Sequence, residues 1–307
     1  MSDSMSQEAG QINQNLQPIN KDKLLSLSIQ EKYSYIENLI IYTPQTQSLL
    51  KKIDECYSSG KYMTKPLCMH ISGQWGTGKT TFSKLYSVKH PDIQYLSFTK
   101  KPVLYCEIPC PAYIGSLPKC MIKSLGDEFY LKGRDIFTQT QRLYDLLHLC
   151  QVEIIFLDEV QHLVDRNSQR LIRDSSDWFK MLIDNVKIPI IFTGMPDSKR
   201  IFHENEQLGS RVRYHVEINT LEYDIEFRKL LHIFDNQLPF KNLSNLGTKK
   251  LSKCIHTATK GVMRTVKDLL LEASNISLYL SLDYIPLNAF AEAFDKILCN
   301  TGDNVFR

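Results

Sequence analysis

The chain of 307 residues contains no apolar run that approaches the roughly 20 residues needed for a transmembrane helix. It also begins without the basic and apolar segments of a secretory signal peptide, because its first twenty residues are mostly polar and rich in Ser, Gln and Asn. We therefore expect no membrane partner, a cytoplasmic location, and disorder over residues 1–22.

Cysteine patterns typical of metal or disulfide frameworks are also missing. The chain has eight cysteines but no C-x-x-C pair, and Cys106 and Cys110 are the closest two. No second pair and no histidine cluster completes a zinc site. Several cysteines lie in apolar segments, where a reduced thiol behaves as a small hydrophobic side chain. This pattern predicts reduced thiols in a reducing compartment.

Charge of either sign is not in excess. The 37 basic and 34 acidic side chains give a net charge of +3, so any surface that binds nucleic acid must be local. The hydrophobic content of 43% and the charged content of 23% are typical of a globular protein. The length allows one large domain or two modest ones.

The strongest positive signal is a glycine-rich stretch between residues 73 and 80. It fits G-x-x-x-x-G-K-[ST] at every fixed position, follows the apolar run 67–71 and precedes a helical pattern. Such a loop presents backbone N–H groups and a helix N-terminus to a polyphosphate. We assign Lys79 to the β- and γ-phosphates and the Thr80 hydroxyl to Mg²⁺. The predicted nucleotide-binding residues of this segment are Gly73, Gln74, Trp75, Gly76, Thr77, Gly78, Lys79, Thr80 and Thr81.

A second motif, residues 154–159, is an apolar run that ends in two carboxylates. Four bulky apolar residues predict a buried parallel strand, and ligands of open α/β sheets bind at the carboxyl ends of such strands. Asp158 is suited to the Mg²⁺ shell and Glu159 to polarising the attacking water. Each motif alone has a plain structural explanation, as a glycine-rich turn or as a strand followed by solvated acids. Together they predict binding of a nucleoside triphosphate with Mg²⁺.

The pattern of apolar residues changes near residue 220. Before that point, strands and helices alternate, which predicts an α/β fold with a parallel sheet between helices. The predicted strands are 67–71, 103–108, 154–159, 188–192 and 214–218, and the helices between them are near 116–130, 138–150 and after Ser168. Beyond it, the pattern predicts helices only, near 222–236, 248–258, 262–280 and 287–298.

These patterns predict four segments. The first is the disordered tail, and the second is a P-loop core over residues 23–220, which includes N-terminal helices that begin at a Ser28–Glu31 capping box. A small all-helical domain follows over residues 221–300, and a short tail over residues 301–307 ends the chain.

Two arginine motifs complete a resemblance to the AAA+ ATPases. Arg211, in Ser-Arg-Val, and Arg213 precede the last predicted strand, and Arg264 ends a G-x-x-R at the start of a helix. In that family an arginine near the end of the sheet reaches the γ-phosphate of a neighbouring subunit, and a lid arginine contacts the nucleotide of its own subunit. The resemblance implies the first role for Arg211 or Arg213 and the second for Arg264. The alternatives are a solvated turn and an exposed helix charge.

Four linking phrases narrow the resemblance further. They look like the TniB/TnsC family of AAA+ regulators of DNA transposition, which includes proteins of CRISPR-associated transposons; the phrases are Ile41–Pro44, 158–162, 187–194 and 206–211. The likeness covers nearly the whole chain. It implies a bacterial ATPase that forms a homo-oligomer on duplex DNA and links a target-selection protein to a transposase.

The family resemblance also points to residues with less specific patterns. Many AAA+ proteins orient the attacking water with Asn or another polar residue at the end of the fourth strand. This chain departs from that pattern and has Thr193 there, which fits slow hydrolysis. The alternative for Thr193 is a strand threonine with satisfied hydrogen bonds. DNA contact is expected after the second strand, from Lys119, Lys123, Lys132 and Arg134. Cations suffice for phosphate contact, but each is equally an ordinary solvated charge.

Two other functions stay open. One is an AAA+ ATPase of another branch, either an initiator-like origin binder or a secretion-associated ATPase. An initiator usually carries a winged-helix DNA reader, and the sequence has no such β-hairpin pattern. The other is a nucleotide-gated scaffold with negligible hydrolysis that works through protein contacts.

Overall fold

The computed structural model describes residues 21–41, 44–132, 135–164, 168–298 and 303–307. The tail that we expect to be disordered lies almost entirely outside these residues. The chain divides into two compact units, one of residues 45–218 and one that combines residues up to 44 with residues 219–307. We expected the N-terminal helices to belong with the P-loop core. The helices before residue 41 group instead with the C-terminal helices, because Ile36, Leu39 and Ile41 are buried in that unit's apolar core. The next helix, Pro44–Tyr62, belongs to the unit of residues 45–218.

Seven strands form two sheets within the described residues. In chain order they are β1 Cys68–Gly73, β2 Ile93–Gln94, β3 Thr99–Lys100, β4 Val103–Glu107, β5 Ile154–Asp158, β6 Ile190–Gly194 and β7 Val212–Ile218. Five of them make a parallel sheet in the order β4-β5-β6-β1-β7, which confirms the predicted parallel sheet. The short antiparallel pair β2 and β3 was not predicted.

The central strands of the parallel sheet are buried on both faces. Every residue of β1, β5 and β6 is buried, as expected for apolar runs between two helical layers. The edge strand β7 has exposed residues at alternate positions. Because all five strands are parallel, their carboxyl ends lie at one edge of the sheet, and the ends of β1, β5 and β6 are adjacent there.

Thirteen α-helices lie within the part of the chain that the structure describes. They are α1 Lys21–Leu25, α2 Ile29–Asn38, α3 Pro44–Tyr62, α4 Lys79–Lys89, α5 Ser116–Leu125, α6 Ile136–Leu149, α7 Gln169–Val186, α8 Arg200–His203, α9 Glu206–Gly209, α10 Ile225–Gln237, α11 Lys249–Thr259, α12 Met263–Tyr279 and α13 Leu287–Ile297. Short 3₁₀ turns at Val160–Leu163 and Pro196–Lys199 follow β5 and β6. Among these helices, none is long and apolar enough to cross a membrane.

Capping residues set several helix ends as the sequence predicts. Ser28 and Glu31 form the reciprocal capping box of α2. The Ser168 hydroxyl accepts a hydrogen bond from the Leu171 N–H at the start of α7. Helix α5 ends at Leu125, earlier than predicted, because Gly126 has a left-handed backbone with φ of 94°.

In the unit that combines residues up to 44 with residues 219–307, called the C-terminal unit below, the described secondary-structure elements are helices. Its four main helices match the predicted ones to within a few residues, and its apolar core also holds Phe306. The Phe306 ring stacks on Phe290 with 5.5 Å between centroids. The described end of the chain, residues 303–307, therefore packs on the helical unit and adds to its core.

A partly buried carboxylate, that of Glu153, ties the start of β5 to α3 and β3. Glu153 accepts a hydrogen bond from the Tyr57 hydroxyl and ion-pairs with Lys100 at 2.7 Å and Lys61 at 3.3 Å. Burial alone raises the pKa of Glu153, but the hydrogen bonds from Lys100, Tyr57 and Lys61 outweigh it and lower that pKa to about 2. The ionised form is thus favoured by folding, as its ordinary pKa is 4.5.

The stabilisation from this network is present above pH 4.5 and is lost as the pH falls from 4.5 toward about 2. We expect Glu153→Gln to lower the melting temperature at pH 7 by about 3 °C, the shift for a loss of about 1 kcal/mol. The difference from wild type should shrink between pH 4.5 and pH 3 in thermal scans. Glu226→Gln, which breaks the exposed Lys229–Glu226 pair, is the control, and its melting temperature should differ little from that of wild type. A difference for Glu153→Gln that does not change with pH would contradict this account.

Candidate functional site

The glycine-rich loop connects β1 to α4, as the motif requires. Gly76 and Gly78 have left-handed backbones with φ of 79° and 95°, and Gly78 is the N-cap of α4. At Gly73 the constraint is space, since a Cβ there would lie 2.5 Å from the Ile218 carbonyl oxygen of β7. The glycines therefore let the loop turn tightly into the helix and pass close to the neighbouring strand.

The polar side chains of the loop have specific partners. Lys79 is buried, and its Nζ donates to the carbonyl oxygens of Gly73 at 2.7 Å and Gln74 at 3.0 Å. The Thr77 hydroxyl donates to the Gln74 carbonyl at 2.8 Å. Trp75 lies at the outside of the loop with 64% of its surface exposed. The ammonium group of Lys79 is thus held against the loop, where a phosphate-binding lysine is expected.

Asp158, at the carboxyl end of β5, lies at the centre of a hydrogen-bond network. Its Oδ2 accepts from the Thr80 hydroxyl at 2.8 Å and from the Tyr105 hydroxyl at 3.1 Å. Its Oδ1 accepts from the Thr193 hydroxyl and from the Glu159 N–H at 3.0 Å. The pair that we assign to Mg²⁺, Thr80 and Asp158, is therefore in direct contact, and both offer the oxygen ligands that this ion prefers.

Tyr105 is a member of this network that the sequence analysis did not identify. It lies on β4, opposite Phe156 of the neighbouring β5. Burial raises the pKa of the Tyr105 hydroxyl, and the nearby Asp158 carboxylate adds to that effect. The hydroxyl thus stays protonated and acts as a hydrogen-bond donor. A tyrosine at this strand position looks like an ordinary apolar strand residue, so no signal in one sequence marks it.

Glu159 and Thr193 occupy different environments at the same edge. Glu159 has a left-handed backbone with φ of 59°, and its partly exposed carboxylate accepts a hydrogen bond from the Gln161 amide. Thr193 is buried, and its hydroxyl donates to Asp158. The open alternative for Thr193, a strand threonine with satisfied hydrogen bonds, agrees with this placement.

The two candidate arginines near β7 differ in their partners. Arg211 makes a two-armed ion pair with Asp184 of α7, with Nη2 and Nε at 2.6 and 2.8 Å from the carboxylate oxygens, and it also donates to the Gln207 carbonyl. The hydrogen bond from Arg211 lowers the pKa of Asp184. Arg213 is exposed and makes no hydrogen bond or ion pair with the other residues that the structure describes. Of the two, Arg213 has the guanidinium that is available to a partner.

The remaining predicted residues lie on other elements of the chain. Arg264 is part of the first turn of α12, in the C-terminal unit. Lys119 and Lys123 are one helical turn apart on α5, and Lys123 and Lys132 are exposed. The Lys132 ammonium lies 3.9 Å from the centre of the Phe129 ring. The fourth predicted DNA contact, Arg134, lies outside the described residues.

The chain is similar to a known protein family. Residues 32–219 match the model of a family described as bacterial TniB protein. No curated protein sequence is significantly similar to the chain.

Among solved structures, the Aeropyrum pernix ORC1 protein in complex with DNA has a TM-score of 0.63 and 16% identity, over 87% of this chain and 69% of that one. The Aeropyrum pernix ORC2 protein, in ADPNP–ADP complexes, has a TM-score of 0.62 and 14% identity, over 85% of this chain and 70% of that one. Drosophila ORC bound to DNA has a TM-score of 0.52 and 15% identity, over 89% of this chain and 67% of that one. At these identities the likeness shows the fold, which is the predicted AAA+ fold with additional C-terminal helices.

Two glycines with the same left-handed backbone conformation allow a test of the loop. A Cβ at Gly78 would meet only the Thr81 hydroxyl at 3.8 Å, and one at Gly126 would meet nothing within 4 Å; their φ angles are 95° and 94°. Gly78→Ala and Gly126→Ala should therefore each destabilise the fold by about 1–2 kcal/mol in thermal or chemical denaturation. Only Gly78→Ala should weaken binding of a fluorescent ATP analogue, by about tenfold or more. Equal affinities in the two variants would exclude this loop as the nucleotide site.

Proposed function

Because the chain belongs to the bacterial TniB family, we propose that it is an ATP-dependent, DNA-binding AAA+ regulator of DNA transposition. In this proposal it oligomerises on duplex target DNA in the bacterial cytoplasm and links a target-selection protein to the transposase. The observation that carries its nucleotide chemistry is the direct contact between Thr80 of the phosphate loop and Asp158 of β5 at 2.8 Å. Two motifs 78 residues apart in sequence thereby form one site.

ATP is the substrate, and the chain's own residues bind it and hold the attacking water. The loop N–H groups and the start of α4 face the phosphates, and Lys79 leaves its loop carbonyls for phosphate oxygens. Thr80 and Asp158 would hold Mg²⁺, which would neutralise charge on the phosphates. Thr193 and Tyr105 keep the Asp158 carboxylate in place. Glu159 accepts a hydrogen bond from the attacking water and orients it.

We propose that Arg213, rather than Arg211, reaches the nucleotide of a neighbouring subunit. The guanidinium of Arg211 is already bound by Asp184 and Gln207 of its own chain, and leaving Asp184 costs two charge-assisted hydrogen bonds. Arg213 is exposed and has no such partner among the described residues. An arginine supplied in this way favours assembly in the ATP state, since the shared γ-phosphate stabilises the interface. Arg264 as the lid arginine stays a prediction.

For DNA, we propose a local phosphate-binding surface at α5 and the segment that follows it. Lys119 and Lys123 lie on the same face of α5, four residues apart, and Lys132 follows in an exposed turn. Contacts of this kind position a protein on duplex DNA and carry no sequence information. Little sequence preference suits a regulator whose target is chosen by another protein.

An origin-binding initiator is the second candidate, because solved structures with this fold include origin recognition proteins bound to DNA. That function needs recognition of a preferred DNA sequence, and the TniB match favours transposition. A nucleotide-gated scaffold differs from both in that it hydrolyses no ATP. Turnover with and without duplex DNA, and competition between unrelated duplexes, separate the three functions.

The arginine assignment predicts complementation between two inactive variants. Arg213→Ala should retain its affinity for ATP, but its rate of ATP hydrolysis should fall by at least about 100-fold. The same is expected of Glu159→Gln. Mixed together, they should regain activity, because some interfaces join an intact Glu159 to an intact Arg213. Arg211→Ala should mainly lower stability, by about 1 kcal/mol, since the Asp184 ion pair is removed. If the mixture co-assembles without recovery, or if Arg211→Ala behaves as predicted for Arg213→Ala, the assignment is wrong.

The DNA proposal is tested by the salt dependence of binding. Binding to duplex DNA should require ATP or a non-hydrolysable analogue, and Lys79→Ala should abolish it. The double change Lys119→Ala and Lys123→Ala should reduce the log–log salt slope by about 0.9 for each phosphate that is no longer neutralised, while ATP binding persists. Lys51→Ala with Lys84→Ala removes the same charge from exposed helix positions elsewhere and should leave the slope unchanged. An unchanged slope in the first double variant would remove α5 from the DNA surface.

A further inference from the structure

Gln161 was not among the predicted site residues, yet its side chain makes two directed hydrogen bonds at the site. It lies in the 3₁₀ turn after β5 and is 7% exposed. Its Nε2 donates to the Glu159 carboxylate, and its Oε1 accepts from the Met195 N–H at 3.0 Å. The orientation of the amide follows from chemistry, since a backbone N–H can only donate and an ionised carboxylate can only accept.

The end of β6 is shaped to admit this amide. A Cβ at Gly194 would lie 2.8 Å from Gln161 Oε1 and 2.9 Å from both the Ser198 hydroxyl and a Val160 methyl group. Any larger residue at this position would displace the Gln161 side chain or its neighbours. The glycine at the end of the strand and the buried glutamine are therefore complementary in shape.

The backbone of Glu159 also needs support. A residue other than glycine keeps a left-handed backbone, here with φ of 59° and ψ of 35°, only where its surroundings hold it. His162 Nε2 lies 3.9 Å from the carboxylate oxygen that Gln161 contacts, which is too far for a hydrogen bond. Among the residues that the structure describes, Gln161 is thus the one with a hydrogen bond to this carboxylate.

We propose that Gln161 is a positioning residue that fixes the Glu159 carboxylate relative to the end of β6. This role rests on the proposed hydrolysis of ATP with Glu159 orienting the water. Both acids are then tied to the same strand end: Asp158 through the Thr193 hydroxyl, and Glu159 through Gln161 and the Met195 N–H. Their separation is set by one rigid element, which keeps Glu159 oriented relative to the site that Asp158 anchors.

Substitution of Gln161 should separate turnover from binding. Gln161→Met keeps the approximate shape but can form neither hydrogen bond, and Gln161→Glu keeps the bond from Met195 while placing a second carboxylate against Glu159. In steady-state kinetics both should lower kcat by about 10- to 100-fold, the cost of a misplaced catalytic group, with KM and the affinity for an ATP analogue nearly unchanged. Gln139→Met is the matched control, since Gln139 is a buried glutamine of α6 that donates to the Lys132 carbonyl. Its kcat should stay near that of wild type.

A double-mutant comparison tests whether Gln161 acts through Glu159. In the Glu159→Gln background, adding Gln161→Met should cause no further loss of the residual rate, because the group that Gln161 positions is already gone. A further loss of the size seen in wild type would show an independent effect and overturn the proposal.

The outcomes also separate this inference from the proposed function. If Glu159→Gln hydrolyses ATP at the wild-type rate, the proposed role of Glu159 fails. If Glu159→Gln is inactive while Gln161→Met turns over as fast as wild type or faster, only the positioning role of Gln161 fails. Thermal scans establish folding, and if Gln161→Met does not fold, the kcat of Gln161→Glu decides by the same criterion.

Discussion

The buried carboxylate of Asp158 is the constraint on which the site depends. It is 2% exposed, and an ionised group at such a depth is tolerated only when hydrogen bonds replace its lost hydration. Its four donors come from the start of α4, from β4, from β6 and from the residue that follows it. The strand order places β5 between β4 and β6, so the neighbours on both sides supply a hydroxyl. The hydrogen bonds that replace the hydration of this carboxylate therefore depend on the order of the strands in the sheet.

The same requirement connects the phosphate loop to the rest of the sheet. Thr80 belongs to the first turn of α4, and its hydrogen bond to Asp158 fixes that turn relative to β5. At the other end of the loop, Gly73 passes too close to β7 for any side chain. The loop is thus held between β5 and β7 before any ligand binds. Such pre-organisation reduces the ordering cost of binding a phosphate group.

Much of this site was predictable from sequence, because its parts are local. The loop glycines, Lys79 and the acidic end of β5 follow from motifs in which spacing alone carries the chemistry. Tyr105 and Gln161 were not predictable, since each acts through a partner on another element. A glutamine two residues after an acid has no characteristic spacing, and only the tertiary structure shows that its other end meets Met195.

The limits of periodicity also explain two differences in the fold. Helix α2 is amphipathic, but an apolar stripe does not say which core will cover it, and here Ile36 belongs to the C-terminal unit.

Arg211 and Arg213 are two residues apart, a spacing that gives both side chains the same direction along an extended chain. What distinguishes them is Asp184, which lies on α7 and binds Arg211. The availability of a charge for a partner is therefore a property of tertiary structure, because it depends on which charges the chain has already neutralised itself.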